Sequence, residues 1–367
     1  MSSLGPDLPG PARLPTMKDI ARLAGVHQST VSLALRDNPE IPAATRQRIR
    51  AIAQQIGYHP DPVLDAFNLH RLSSHPLRSA PAIAYINDGA PTPAGAESAA
   101  RRATYAGARD AAARLGFVLD RFFVGSDGVS PARLNRILHA RNIDCVIIVS
   151  FSRAIAELPL RWDGLCGLKI ESFHVQPAFD VITPDHQEAA RLALAHLRRL
   201  GYHRIGMVLT RDEDDRLRQL PRAGYLVELQ AETAPIELLY LDETKPSDER
   251  RNLAAWIARN RLDAVIAPSD RILTPLRQAG AAIPADLGFA CLDRTGCDDQ
   301  VAGVDVNHHL IGANAVELIA MRRRINQRGT PEDTSITFVP VSWHDGASAP
   351  FRPHPHAVSA HPRAAGA

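Results

Sequence analysis

Apolar positions recur at helical spacing three times near the start of the chain. Ile20, Leu23 and Ala24 form one face behind Thr16, which caps a helix while Asp19 faces back toward the positive helix end. Gly25 stops that turn. Val31, Ala34 and Leu35 form the inner face of a second helix over about 28–35, leaving Gln28, Ser29, Thr30, Ser32 and Leu33 outward, and Asp37, Asn38 and Pro39 end it. Ile49, Ile52, Ala53 and Ile56 line a third helix over about 43–56, with Gly57 as its C-terminal cap. From Pro81 the pattern changes to short apolar runs alternating with helical segments. The runs are 83–86, 117–123, 145–149, 205–209, 236–240, 264–267 and 289–292, and a second set of elements begins near Val181. Helices are expected at 99–115, 134–140, 186–200, near Tyr225, and at 252–258 and 272–278.

Strands alternating with helices predict parallel sheets covered on both faces. The region is too long for one sheet, which predicts two doubly wound α/β subdomains behind an all-α helix-turn-helix headpiece. The boundaries are a disordered extension at 1–15, the headpiece at 16–60, a hinge or linker at 61–78, the large domain at 79–343 and a disordered tail at 344–367. Apolar residues make up 45% and charged residues 22%, ordinary globular values that exclude a fibrous or wholly disordered chain. No apolar stretch reaches the length of a membrane span and no signal-peptide core precedes Pro15, so a cytoplasmic protein without membrane contact is expected.

Charge sharpens the reading of the helical block. Residues 17–60 hold six Lys and Arg (Lys18, Arg22, Arg36, Arg46, Arg48, Arg50) against three acids, so +3, whereas the entire chain carries only +2. A short helix, a glycine turn and a second helix with small polar residues outward is what entry into the major groove requires. By pattern alone the hairpin serves equally well as a packing unit. In the large domain, ligands bind beyond the carboxyl ends of parallel strands. The polar residues there are Asn87, Asp88, Ser150, Ser269, Asp270 and Asp293; each alone also suits a turn or helix cap, and their repetition at equivalent positions favours a cleft.

Glycine-rich phosphate loops and a GxSxG elbow are absent, so no catalytic constellation and no cofactor are expected. Cys145, Cys166, Cys291 and Cys297 lack CxxC spacing, which points to buried thiols rather than a zinc knuckle or disulfide framework. His354, His356 and His361 sit in a proline-rich tail that holds no fixed metal geometry, and the acidic run 212–215 reads as a solvated loop rather than a metal site.

The wording of the chain adds a resemblance. Met17-Lys18-Asp19-Ile20-Ala21-Arg22-Leu23-Ala24-Gly25-Val26, Ser29-Thr30-Val31-Ser32, Thr45-Arg46 and Ile56-Gly57-Tyr58-His59-Pro60 closely resemble the headpiece of the LacI/GalR family of bacterial transcription regulators. Leu200-Gly201-Tyr202-His203-Arg204-Ile205-Gly206, Ile283-Pro284, Asp286-Leu287-Gly288-Phe289 and Leu292-Asp293 extend it into a domain similar to periplasmic sugar-binding proteins. The resemblance implies base reading by Gln28 and Ser29. It places His27, Thr30, Ser32 and Thr45 at phosphate, with Lys18, Leu33 and Arg46 in the same DNA-facing set. Gln28 suits adenine, and Leu33 suits a thymine methyl where relatives often have Arg or His. The family's Ala-Arg-Ser-Leu hinge is replaced by Leu64, Asp65, Ala66 and Phe67. Phe67 is then the candidate minor-groove wedge, but Asp65 replaces a cation beside phosphates and Asp61 adds a second negative charge nearby, so a linker helix with weaker minor-groove engagement is the expectation.

In the large domain the resemblance implies an effector cleft lined by Asp270 and Asp293. Pro221 stands at the family's ligand-contacting Arg, so Arg222 or Arg218 substitutes. The implied protein is a homodimeric regulator, by family habit a repressor, that binds a near-palindromic double-stranded operator under control of a sugar-like or other small metabolite. Three alternatives stay open: a solute-binding protein without DNA function, an enzyme of the doubly wound class, and a DNA binder that has lost its effector response.

Overall fold

The computed structural model describes residues 15–35, 41–58, 80–89, 97–125, 128–229, 238–241 and 246–353. The expected helix stop at 37–39, the hinge with Asp65 and Phe67, and the first residues of the 236–240 run lie outside the described residues.

The headpiece is built from α1 (Met17–Ala24), α2 (Gln28–Leu35) and α3 (Ala43–Gln55). Helix α1 starts where expected: the Thr16 N–H and hydroxyl donate to the Asp19 carboxylate at 2.9 and 2.7 Å. It ends at Gly25 in the left-handed region (φ 63°), a conformation that opens the tight turn into α2. Ile20, Val31, Ala34 and Ile49 are fully buried where the three helices meet, with Ala24 and Ala53 filling between them. Arg48 ties the turn down by donating to the Ala24 carbonyl at 3.0 Å. One expectation is corrected here. Leu23 lies 56% exposed, because eight residues of α1 bury only the stripe through Ile20 and Ala24.

The large domain carries two six-stranded sheets. The first is ordered β11-β5-β4-β3-β1-β2 and is wholly parallel, from β1 (Ala82–Asp88), β2 (Val118–Val124), β3 (Cys145–Val149), β4 (Cys166–Ile170), β5 (Val181–Pro184) and β11 (Ile336–Val339). The second is ordered β12-β10-β9-β8-β6-β7. It is parallel from β7 to β10, from β6 (Ile205–Thr210), β7 (Leu239–Leu241), β8 (Ala264–Ala267), β9 (Gly288–Cys291) and β10 (Ala302–Asp305), and antiparallel at β12 (Ser342–His344). Central strands such as Cys145–Val149 and Ala264–Ala267 are buried along their whole length, as continuous apolar runs in a doubly covered sheet must be.

The two subdomains are not consecutive halves. The expected start of a second set at Val181 is corrected, because Val181–Pro184 pairs with β4 and β11 and completes the first sheet. The chain crosses to the second subdomain into α6 (His186–Arg199), whose Ala189, Ala190, Ala193 and Leu194 pack on the second sheet. It returns through α11 (His308–Arg324), whose Ile311, Val316 and Ile319 pack on the first, and crosses again between β11 and β12. Helix α11 meets α4 (Ala99–Arg114) at two glycines: a Cβ on Gly107 would lie 1.8 Å from the His309 carbonyl, and one on Gly312 1.9 Å from that of Thr104. Only hydrogen at both positions lets the helix backbones approach this closely.

Two further expectations change. The acidic run is not a loop: Arg211–Arg216 forms α7, capped reciprocally by Thr210 and Glu213, and Asp214 is buried accepting the Tyr240 hydroxyl at 2.5 Å. Residues 344–353 are not tail but part of the second subdomain. Ser348 caps the sheet through Phe289 and Ala302, Ala349 is buried, and the Arg352 N–H donates to the Leu200 carbonyl at 2.7 Å. These backbone partners, remote in sequence, fix a segment whose composition alone reads as unstructured.

Candidate functional site

Two surfaces bring the expected site residues together. In the headpiece, burial of Val31 and Ala34 turns the opposite face of α2 outward, with His27 and Ser29 exposed and Gln28, Thr30, Ser32 and Leu33 half-buried. His27 caps α2 with its ring. The Ser29 N–H, an unambiguous donor, points at His27 Nδ1 at 3.3 Å, and the Ser29 hydroxyl lies 2.9 Å from the same atom. Nδ1 therefore acts as acceptor, which leaves the ring hydrogen on the outer nitrogen, Nε2. The imidazole thus serves as the helix cap and still presents a donor. Lys18 is exposed at the start of α1 and Thr45 is half-buried in the first turn of α3. Arg46, placed by the resemblance in the DNA-facing set, also donates to the Ile41 carbonyl at 2.9 Å, which holds the entry to α3.

In the large domain the carboxyl ends of both sheets meet across a cleft. Ser150 follows β3, and Glu171 follows β4. The Ser150 hydroxyl donates to Glu171 at 3.3 Å, and His186, from the first turn of α6 on the other side, lies 2.9 Å from the second Glu171 oxygen. Burial alone would raise the Glu171 carboxyl; His186, with the charges of Arg216 and His308, outweighs it and holds the group at about 2. Asp293, after β9, accepts from the Thr295 N–H at 2.9 Å and meets His308 Nε2 at 2.7 Å.

The protonation of His308 follows from its partners. Thr104 commits its hydroxyl hydrogen to the Ala100 carbonyl at 2.9 Å, so its oxygen is left to accept from His308 Nδ1 at 3.4 Å. Both ring nitrogens then carry hydrogen. Burial pulls His308 down, but the bond to Asp293, that carboxylate's charge and Glu171 raise it on balance. Two more contacts span the cleft: Arg153 to Asp215 at 3.0 Å, and the Arg218 guanidinium 5.6 Å over the Phe173 ring. Ser150, Glu171, Arg218, Gln219 and Asn307, all at or beside these contacts, hold positive φ of 46–61°, strain of the kind that gathers at binding sites.

Other expected residues are placed differently. Asn87 shares a strand face with Tyr85, so it turns under α4, accepts from Arg121 Nε at 3.0 Å and is 1% exposed. Asp88 is occupied on both oxygens, by Arg101 at 2.9 Å and the Ser152 N–H at 2.6 Å. Arg222 is exposed on α8 (Leu220–Leu229), its charge felt by Tyr240, while Arg218 is the arginine that reaches across. Asp270 opens a short 3-10 turn next to a pocket of about 160 Å3 between the ends of β6 and β8, where the strand order of the second sheet reverses. Thr210, Glu213, Ser269 and Arg271 are its polar lining.

Glu171, His186, Arg216 and His308 were missed in the sequence. The strand-end rule that found Asp293 also finds Glu171, once Cys166–Ile170 is seen to be a strand. Among the described residues no group of three or more His, Cys, Asp or Glu is arranged to hold a metal ion, and no helix is long and apolar enough to cross a membrane.

A three-helix headpiece with a polar outer face, joined in one chain to paired α/β subdomains around a charged cleft, defines a DNA-binding domain coupled to a ligand-binding fold. Residues 16–61 match the model of the bacterial regulatory proteins of the lacI family, and residues 194–349 that of the periplasmic binding protein-like domain. The chain is 26% identical over 299 residues to the HTH-type transcriptional regulator MalR of Streptomyces coelicolor, covering 76% of this chain and 80% of that protein. Its fold is shared with the transcriptional regulator CelR in complex with cellobiose (TM-score 0.57, 20% identity, 91% of this chain, 99% of that one). It is likewise shared with a lac repressor dimer bound to operator and the anti-inducer ONPF (TM-score 0.53, 18% identity, 92% and 100%). Residues 16–61 thus carry the helix-turn-helix DNA-binding domain of the lacI family of bacterial regulatory proteins, and the chain continues into a periplasmic-binding-protein-like domain.

Proposed function

We propose that this regulator acts as a homodimeric repressor on a near-palindromic operator and that a small molecule in the inter-subdomain cleft sets its occupancy. The outward face of α2 carries the reading. Gln28 and Ser29 are its base-reading pair, Leu33 its contact to a thymine methyl, and Lys18, His27, Thr30, Ser32, Thr45 and Arg46 its phosphate set. Phe67 is the candidate wedge at the dimer centre, its engagement of the minor groove weakened by Asp65 and Asp61. One headpiece reads a half-site, and two half-sites about one helical turn apart multiply the affinity.

Ser150, Asp270, Asp293 and Glu171 are the polar groups offered to the effector, with Arg218 in the place of the family's arginine; Asn87, Asp88 and Arg222 support the cleft from its margins. A ligand that favours one closure of the subdomains shifts the placement of the headpieces, for which a coupling of about 1–3 kcal/mol suffices.

The test is selection of duplex DNA from a random pool by the full chain at near-physiological salt, read by sequencing. A two-fold symmetric enriched site is expected, and its central step reports on Phe67. A folded protein that enriches nothing, or only an unpaired half-site, overturns the dimeric operator reading. The enriched duplex then serves as the probe for small metabolites that release or tighten it.

A further inference from the structure

The thiols of Cys291 and Cys297 lie 3.7 Å apart. Cys291 is the buried last residue of β9 and Cys297 is half-buried six residues later. The intervening turn is well defined: the Thr295 N–H donates to Asp293 Oδ1 at 2.9 Å and the Cys297 N–H to the Arg294 carbonyl at 2.9 Å. Cys297 Sγ also lies 4.0 Å from the Asp293 carbonyl, and Cys291 pairs in register with Ala267 at the end of β8, just before Asp270. The pair is thus seated between the two turns that carry Asp270 and Asp293. A disulfide closes at about 2.05 Å, so bonding shortens the gap by about 1.7 Å, a movement within reach of one side-chain rotation and a small shift of the turn.

We propose that Cys291 and Cys297 form a reversible dithiol site that a peroxide oxidises to an intramolecular disulfide, and that closing this bond moves the Asp293 turn against the first subdomain. In the first step the Cys297 thiolate attacks one peroxide oxygen, the O–O bond breaks, and Cys297 becomes a sulfenic acid while hydroxide leaves. In the second, Cys291 sulfur attacks the sulfenic sulfur, the S–O bond breaks, and the departing hydroxide takes the Cys291 proton as water. Two thiols lose two electrons and two protons, and one hydrogen peroxide is reduced to two waters.

The order of attack follows from the surroundings. Contact with Cys291 holds the Cys297 thiol below its ordinary value, and the same contact together with burial pushes Cys291 up. The consequence for the cleft follows from packing. A Cβ on Gly296 would lie 2.4 Å from that of Ala99, so the turn rests directly on the start of α4 in the first subdomain. Asp293 on the same turn holds His308. The other two cysteines are an internal control: Cys145 and Cys166 face each other on β3 and β4 and are both buried, whereas Cys297 is half-buried.

The full chain is treated with a small excess of hydrogen peroxide, alkylated and mapped by mass spectrometry, and its amide exchange is compared with that of the reduced protein. The expected result is a Cys291–Cys297 linked peptide, reversed by dithiothreitol, with Cys145 and Cys166 alkylated only after unfolding. Exchange should change at 99–104 and 293–297 in the linked protein. In Cys291→Ser the reaction should stop at a Cys297 sulfenic acid trapped by dimedone, and in the less buried Cys297→Ser it should not start. Oxidation of Cys297 straight to sulfinic acid in the unaltered chain, linkage of the buried pair instead, or a linked protein with unchanged exchange at both segments overturns the proposal.

Discussion

Glu171 is held charged in a place where burial opposes charge, and replacing it with the isosteric Gln measures how strongly. The side chain is 12% exposed, so solvent screening discounts little. Its carboxyl falls from an ordinary 4.5 to about 2, which at 1.36 kcal/mol per pH unit corresponds to about 3 kcal/mol of stability at pH 7. The sign follows from a depressed acid. The contribution is complete above the unfolded value, declines as pH falls below about 4.5, and is lost through about 2. Urea unfolding of the full chain and of Glu171→Gln, followed by tryptophan fluorescence from Trp162, Trp256 and Trp343, should give a difference of about 3 kcal/mol at pH 7. At pH 3 about half of it should remain. A difference below about 1 kcal/mol at pH 7, or one that does not shrink in acid, refutes the argument that His186, Arg216 and His308 overcome desolvation at this carboxylate.

The titration of His308 runs the opposite way. Its raised value means that the bond to Asp293 stabilises fully below pH 6.5 and fades as pH rises through the folded value, so an NMR titration should place its midpoint above 6.5. Gly107→Ala forces α4 and α11 apart at the His309 carbonyl and should cost about 1–3 kcal/mol in thermal or urea unfolding of the large domain, with Gly312→Ala comparable. Arg48→Ala removes the bond to the Ala24 carbonyl and should destabilise the headpiece by about 1 kcal/mol without altering base preference. Gln28→Ala should do the reverse in the selection assay, and an unchanged sequence profile would count against α2 as the reading helix.

Much of the fold is written locally. Thr16, Asp19 and Gly25 start and stop α1 by hydrogen bonds formed within a few residues, and Val31 and Ala34 orient α2 by periodicity alone, so the headpiece face is legible from the chain. The runs Cys145–Val149 and Ala264–Ala267 announce strands buried on both faces. Other elements are disguised by their own packing. The apolar run of the strand Cys166–Ile170 is broken by Gly167, whose missing side chain makes room for the Phe179 ring, and by Lys169, buried with its ammonium on the Val175 carbonyl. Neither residue signals a strand until the neighbour that accounts for it is known.

Sequence by itself determined the headpiece, the alternation that makes two parallel sheets, and Ser150 and Asp293 as polar strand ends, because each depends on spacing within one element. Tertiary structure alone decided that Val181–Pro184 belongs to the first sheet and that α11 and β11 return to it, since strand order is set by pairing between distant segments. It also decided the company each polar group keeps: Asn87 under Arg121, Asp88 on Arg101, and Glu171 against His186. The charge of a buried acid and the reach of an arginine depend on what stands within a few ångströms, and that distance is not a property of the chain read in order.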